Sequence, residues 1–208
     1  MTAPPDRFAP RSPQDLADLA RQQPLAWICS AGPAGQVSTP LPLVPRFGPD
    51  GRIVAVEGHF ARGNAQVAAL RADGRATVLW LGVHGYVSPS WMADRTQAPT
   101  WNYASAQLQV DVRFVEEPGA IVAHLRELAE RMEAGRPNAW SIDDMGPRLA
   151  QLAQRVIAFR AEVVSSREKY KLGQDERDDV YVDILAGLDA QPDTGLPEWM
   201  RRFNPGRG

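Results

Sequence analysis

The segment "QLQVDVRFV", residues 107–115, alternates without a break, with Leu108, Val110, Val112 and Phe114 on one side and Gln107, Gln109, Asp111 and Arg113 on the other. Only an extended chain, whose side chains leave on opposite faces with a period of two, gives the four apolar groups one common surface. The segment therefore reads as a strand with one dry and one wet face, and something else must cover the dry face. "LAWICSA", "QVSTPLPLV" and "RIVAVEG" are further strand-like runs, separated by the turn-forming "GPAG" and "FGPDG". "ATVLWLG" and "VIAFRAEVV" continue the series, the latter placing Ile157, Phe159, Ala161 and Val163 on one face.

Helices interrupt these runs. Ser12 before Pro13 is a cap followed by a first-turn proline, and Leu16, Leu19 and Ala20 follow at helical spacing. Asn64 caps a second helix with Val67, Ala68 and Leu70 inward and Gly74 as its stop. Residues 119–134 carry Ile121, Leu125, Leu128 and Met132 as one stripe; a short helix over 147–154 and a last one within "GQDERDDVYVDILAGL" complete the set. "DAQPDTGLPEWMRRFNPGRG" reads as a tail of low periodicity. The expected organisation is one domain over residues 1–190, with 191–208 as a C-terminal tail. The expected fold is mainly β with helices, a small closed or nearly closed antiparallel barrel with peripheral helices. Strand and helix do not alternate as a doubly wound parallel sheet requires, and no dinucleotide glycine fingerprint occurs.

With 208 residues, 44% of them hydrophobic, the chain can bury one sizeable core. A formal net charge of −2 gives no global attraction to nucleic acid or to an anionic membrane. One cysteine, Cys29, excludes an intramolecular disulfide and a cysteine-built metal site, and its apolar setting reads as a buried thiol. "MTAPPDRFAPRSP" lacks the apolar core of a signal peptide, and no run approaches a membrane span, so a cytoplasmic protein is expected.

The sequence holds no G-x-S-x-G elbow, P-loop, H-E-x-x-H or paired cysteine motif. His59, His84 and His124 are far apart in sequence and show no ligand spacing, so no metal site is assigned; His124 reads as a surface or boundary residue. Three segments carry more hydrogen-bonding groups than a core needs. In "GHFARGNAQ", His59, Arg62 and Asn64 precede or open a helix, whose free N–H groups and partial positive charge suit a phosphate; the alternative is a surface Arg and a simple cap. In "HGYVSPSWMADRTQAPTWNY", Tyr86, Trp91, Trp101 and Tyr103 offer flat apolar surface and Ser88, Ser90, Thr100 and Asn102 offer polar edges; the alternative is an aromatic core or a dimer interface. In "REKYKLGQDE", Lys169 and Lys171 flank Tyr170, and Gln174 follows; the cations either meet an anion or guard an exposed strand edge.

"GHFARGNAQ", "HGYVSPSW" with "PTWNY", and "KYKLGQ" before a short helix ending in "AGL", in this order, resemble the PaiB-like proteins, the FMN-binding negative transcriptional regulators, from about Phe8 to Leu188. The resemblance implies a split β-barrel of the FMN-binding type, usually a homodimer with flavin near the subunit interface. The cofactor-binding residues inferred on that basis are His59, Arg62, Asn64, Ser88, Ser90, Trp91, Trp101, Asn102, Tyr103, Lys171 and Gln174. The chain also departs from the family. The segment Ser38–Pro42 and position Gln107 lack histidines that relatives commonly carry, the loop between the two tryptophan motifs is shorter, and Gly173 and Asp175 replace the serine and asparagine of K-L-S-Q-N.

Three functions follow. The first is a cytoplasmic flavin (FMN)-binding protein, a redox or sensor module with flavin-dependent oxidoreductase chemistry as its enzymatic form and an indirect role in regulation; no residue reads as an obligatory catalytic acid or nucleophile. The second is a DNA-binding transcriptional regulator, for which only "MRRFNPGRG" offers clustered cations, and these read as a solvated end. The third is a barrel dimer that has lost its cofactor and acts through protein interaction.

Overall fold

The alternating pattern is longer than the sequence alone suggests. In the computed structural model, which describes residues 6–32, 35–192 and 194–207, burial alternates along β6 (Thr100–Val115) from Trp101 to Arg113. The elements before it are α1 (Pro13–Gln22), β1 (Leu25–Gly32), β2 (Gly35–Pro42), β3 (Val44–Phe47), β4 (Ile53–Ala61), α2 (Ala65–Ala72) and β5 (Arg75–Val87). After it come α3 (Pro118–Glu133), α4 (Arg148–Ala153), β7 (Val156–Lys171), α5 (Asp178–Asp189) and α6 (Leu196–Phe203). The strands form one sheet in the order β2-β1-β5-β6-β7-β4-β3, with β2 and β3 at its ends, so it is not closed. The β1–β2, β1–β5, β3–β4 and β4–β7 pairs run antiparallel. The mainly β architecture with peripheral helices is as expected. The turn expected at "GPAG" includes residues 33 and 34, which lie outside the described residues.

Three elements differ from expectation. β3 is hidden in the sequence by Pro45 and by its length of four residues; it sits at a sheet end, where a missing N–H is tolerated, and its register breaks between Arg46 and Phe47. In α2 the buried face is Gln66, Val67, Ala69 and Leu70, and Ala68 points outward. The segment expected to be a tail contains α6, whose Leu196, Trp199, Met200 and Phe203 are all buried. That spacing of three, four and seven residues is present in the sequence, but two turns are too few for a periodicity to stand out.

The chain packs as two compact units, and β5, β6 and β7 contribute residues to both. The first comprises residues 24–79 and 107–166. Its core includes Ile28, Val56, Phe60, Leu108 and Phe159, with the Phe60 and Phe159 rings 5.1 Å apart. Gly58 is required there, because a Cβ would stand 2.7 Å from the Phe159 ring. The second comprises residues up to 23, 80–106 and 167 onward. Here Tyr170 lies in a stack, 4.9 Å from Phe203 and 5.9 Å from Trp199, while Trp80 donates its indole N–H to the Gln23 carbonyl (2.9 Å).

The cationic end is not a solvated tail. Arg201 pairs with Asp189, Arg202 with Asp15 and Asp18, and Arg207 with Asp178, and Arg202 also lies 4.9 Å above the Trp199 ring. Phe203, in contrast, joins α6 to Tyr170 by packing rather than by charge. Phe203→Ala should lower stability by about 3 kcal/mol in urea unfolding, as expected for a buried aromatic; a change below about 0.5 kcal/mol would show that α6 is not part of the cooperative core.

Candidate functional site

In the second unit, β5 continues past the expected "ATVLWLG" to Val87 and brings His84 and Tyr86 beside Trp101 at the start of β6. The Trp101 ring is 5.7 Å from His84 and 6.1 Å from Tyr86, and it is 52% exposed, with Tyr86 at 46%. Large apolar groups gathered on a surface in this way mark a binding face more often than chance exposure does. His84 and Tyr86 are absent from the set of cofactor-binding residues inferred from sequence; their signal is an outward spacing of two along a strand that continues beyond its apolar run.

Lys171, the last residue of β7, donates to Thr100 Oγ1 (2.7 Å) and to the Trp101 carbonyl (3.0 Å). It forms no ion pair among the described residues, so its charge lies at the edge of the aromatic face and its bonds fix the backbone that carries Trp101. Ser90 is exposed and Tyr103 is half-buried. These residues of the predicted set are available to a ligand.

Four others are engaged in structure. Ser88 Oγ caps the 3₁₀ turn Pro89–Trp91, accepting from Ser90 N (3.2 Å). The Trp91 ring lies against α5 at Gly187, where a side-chain methyl would overlap it. Gln174 turns the chain between β7 and α5, accepting from Leu172 N (2.7 Å) and donating to the Tyr170 carbonyl (2.6 Å). Asn102 is fully buried; its amide nitrogen lies 3.5 Å from Met200 Sδ, and its Oδ1 has no partner among the described residues. The shortened loop is ordered by Asp94, which accepts from Thr96, Gln97 and Arg177, and Ala93 N donates to Asp183 (2.7 Å).

The remaining predicted residues belong to the first unit. Asn64 caps α2 by accepting from Gln66 N (2.8 Å) and donates to Thr39 Oγ1 (3.1 Å). Thr39 in turn donates to Gln66 Oε1 (2.7 Å), so a residue of the segment that lacks the family histidine completes the network. Gln66, buried and absent from the prediction, reaches the Ile28 carbonyl and Ser30 Oγ, each at 3.0 Å. Arg62 Nε donates to the Gln154 carbonyl (2.9 Å), and the guanidinium forms no ion pair among the described residues.

His59 faces His124, with Nδ1 to Nε2 at 3.2 Å. His124 is therefore buried at 7% exposure rather than lying at a boundary. Burial disfavours the charged form of both rings, and His59 adds repulsion at His124, whose pKa is lowered to about 4. Around the pair, Arg46 bonds both Glu57 and Glu127, and Arg160 bonds Glu57 (2.8 Å), which ties α3 to β3, β4 and β7. Among the described residues no three ligating side chains are placed to hold a metal ion.

The fold has relatives among solved structures. The flavocytochrome Anf3 from Azotobacter vinelandii superposes with a TM-score of 0.62 at 16% identity, over 83% of this chain and 77% of that one. The FAD and heme binding protein from Mycobacterium smegmatis gives 0.60 at 21%, over 88% and 80%. In sequence, the chain is 24% identical over 185 residues to "Protease synthase and sporulation protein PAI 2" of Bacillus subtilis (strain 168), covering 88% of this chain and 87% of the relative. Residues 3–165 match the family described as "Putative FMN-binding domain", and the chain belongs to that family. FMN, the cofactor implied by the resemblance, is the one this description names.

The histidine pair sets a pH dependence. With a folded pKa of about 4 at His124 against an ordinary 6.5, the unfolded chain binds the extra proton first, so this stability is fully present above pH 6.5 and is lost as pH falls towards 4. By pH 5 the loss relative to pH 7 is about 2 kcal/mol from this group. Urea unfolding of His124→Leu at the two pH values should show a pH-linked loss smaller by that amount; an unchanged difference would remove His124 from the titration.

Proposed function

We propose that this protein binds FMN and that the Trp101 face receives the isoalloxazine ring. The observation that carries this reading is the exposure of Trp101 between His84 and Tyr86, with Lys171 at its edge. A planar heterocycle with an apolar middle and polar edges matches a flat aromatic surface bordered by hydroxyl and ammonium donors. Bound flavin would supply electron transfer, and the chain's residues would position it.

Within that division of labour, Trp101 and Tyr86 cover the ring and exclude water from one side. Lys171, Ser90 and Tyr103 offer donors to carbonyl or ring-nitrogen edges, and the ammonium favours negative charge developing there on reduction. For the phosphate, Lys171 is the candidate cation within the second unit, and Arg62, in the first, takes no part in this reading. Asn102 and Gln174 act in this reading through the backbone and side chains they hold. Ser88 and Trp91 likewise shape the turn that presents Ser90.

Association with a second copy belongs to the same proposal. In the first unit, Trp27 and Leu79 are cross-strand partners and are 52% and 38% exposed, with Leu25 at 59%. Such apolar surface is suited to an isologous contact. The alternative of direct DNA binding lacks comparable support, because the C-terminal arginines that suggested it are paired with carboxylates. No helix among the described residues is long and apolar enough to cross a membrane.

FMN titration should quench flavin fluorescence saturably at micromolar protein. Trp101→Ala should weaken binding by at least about tenfold, corresponding to ~1.4 kcal/mol, and Lys171→Ala should weaken it less while shifting the flavin midpoint potential downward. Absence of saturable binding to the unaltered protein would sink the reading; equal affinity in Trp101→Ala would move the ring elsewhere.

A further inference from the structure

In the first unit, α3 and α4 leave a furrow that the flavin reading does not use. Towards the C-terminal end of α3 it opens into a cavity of about 350 Å³, walled by Leu125, Leu128, Ala129, Leu149 and Val156. Met132, Trp140 and Leu152 also line it and are 40%, 44% and 36% exposed, so apolar groups continue from the wall to its mouth. A second apolar cavity of about 400 Å³ lies along the same two helices, between Ile121 and Val122 of α3 and Ala150 and Ala153 of α4. Volumes of this order accommodate a small organic ligand.

Charge is distributed unevenly along the furrow. Arg155 is the one charged residue in the wall of the first cavity; it is exposed and makes no ion pair among the described residues. Arg62, whose backbone N–H donates to the Arg155 carbonyl (2.9 Å), lines the second cavity and is likewise outside any described ion pair. Two cations on adjacent backbone positions repel each other when nothing neutralises them. Around Trp140, by contrast, the charged groups are acidic or already matched: Glu133 accepts from Trp140 N (3.1 Å), and Asp143 is paired with Arg126 at 2.6 Å. The furrow therefore favours an anionic head at Arg155 over one at Trp140.

We infer that the α3–α4 furrow is a binding site for a small amphiphile, an aliphatic chain with a single terminal carboxylate, its chain lying against Leu125, Leu128 and Trp140 and its head at Arg155. A neutral alcohol of the same chain would fill the cavity without using the cation. A free carboxylate without a chain would meet an exposed arginine in water, an interaction worth little. Apolar volume and unmatched charge together define the ligand class. The site is independent of the flavin face, so occupancy of one does not require the other.

Decanoate and decanol, below the concentrations at which they aggregate, should be titrated into the full-length protein by calorimetry. Decanoate is expected to bind saturably and about threefold more tightly than decanol, the scale of a solvent-exposed ion pair. Arg155→Gln should bring decanoate to the affinity of decanol, and Ala129→Trp, which fills the cavity, should abolish both. If Ala129→Trp fails to fold by circular dichroism, Leu152→Glu at the mouth is the replacement block. FMN titration of each variant should be unchanged within about twofold, so that loss of the amphiphile and loss of flavin are read separately. Equal binding of the two probes, no saturable binding of decanoate, or undiminished binding when the cavity is blocked would overturn the site. A concentration-dependent dimer that Trp140→Glu converts to monomer would also overturn it, by showing that a second copy covers the furrow.

Discussion

β6 is the element from which the rest of the arrangement follows. Its inward positions Asn102, Ala104, Ala106, Leu108, Val110 and Val112 are all buried, and its outward positions run from Trp101 to Arg113. A strand cannot change which face a residue occupies without slipping by one position, and a slip here would exchange a dry row for a row of glutamines and charges. Trp101 is exposed because Leu108 and Val110 must be inside. The candidate site is thus a consequence of register, set by residues that would never touch a ligand.

Polar groups near the cores are handled in two ways. Gln66 is enclosed but satisfied by Ile28, Ser30 and Thr39, so it joins α2 to β1 and β2 without leaving an unmet donor. The His59–His124 contact is satisfied on one side only, since His124 Nδ1 has no partner among the described residues. A neutral pair tolerates that and a charged pair does not, whereas the surrounding Arg46–Glu57–Glu127 bonds hold their carboxylates ionised well below the usual range. Glu127 illustrates the contrast: its bond to Arg46 holds its pKa near 2.

Much of the fold is legible in the sequence. Ser12 and Asn64 cap their helices, and each long alternating run is a strand, because local hydrogen bonding and side-chain period act within a few residues. β3 and α6 are not legible: four residues around Pro45, and eight after Gly195, are too short to display a period. Tertiary packing of Val44 and Phe203 decides them. The three polar segments stand out by composition, yet they serve different purposes. Trp101, Ser90, Tyr103 and Lys171 present groups to solvent, whereas Asn102, Gln174, Ser88 and Asn64 spend theirs on the chain itself. Composition cannot separate these roles, because a side-chain amide looks the same in sequence whether it caps, turns or binds.

The long alternating strands, the capped helices, the lone thiol and the order of the family motifs are properties of the bare chain. They depend on periodicity, on capping chemistry and on residue identity, all of which are local. Long-range packing was needed to bring His124 to His59 across 65 positions, to close α6 on Tyr170, and to stand Trp101 beside His84 and Tyr86. Periodicity reports that a residue has an inside and an outside, but which partner waits on the inside is set by the pairing of distant strands and helices.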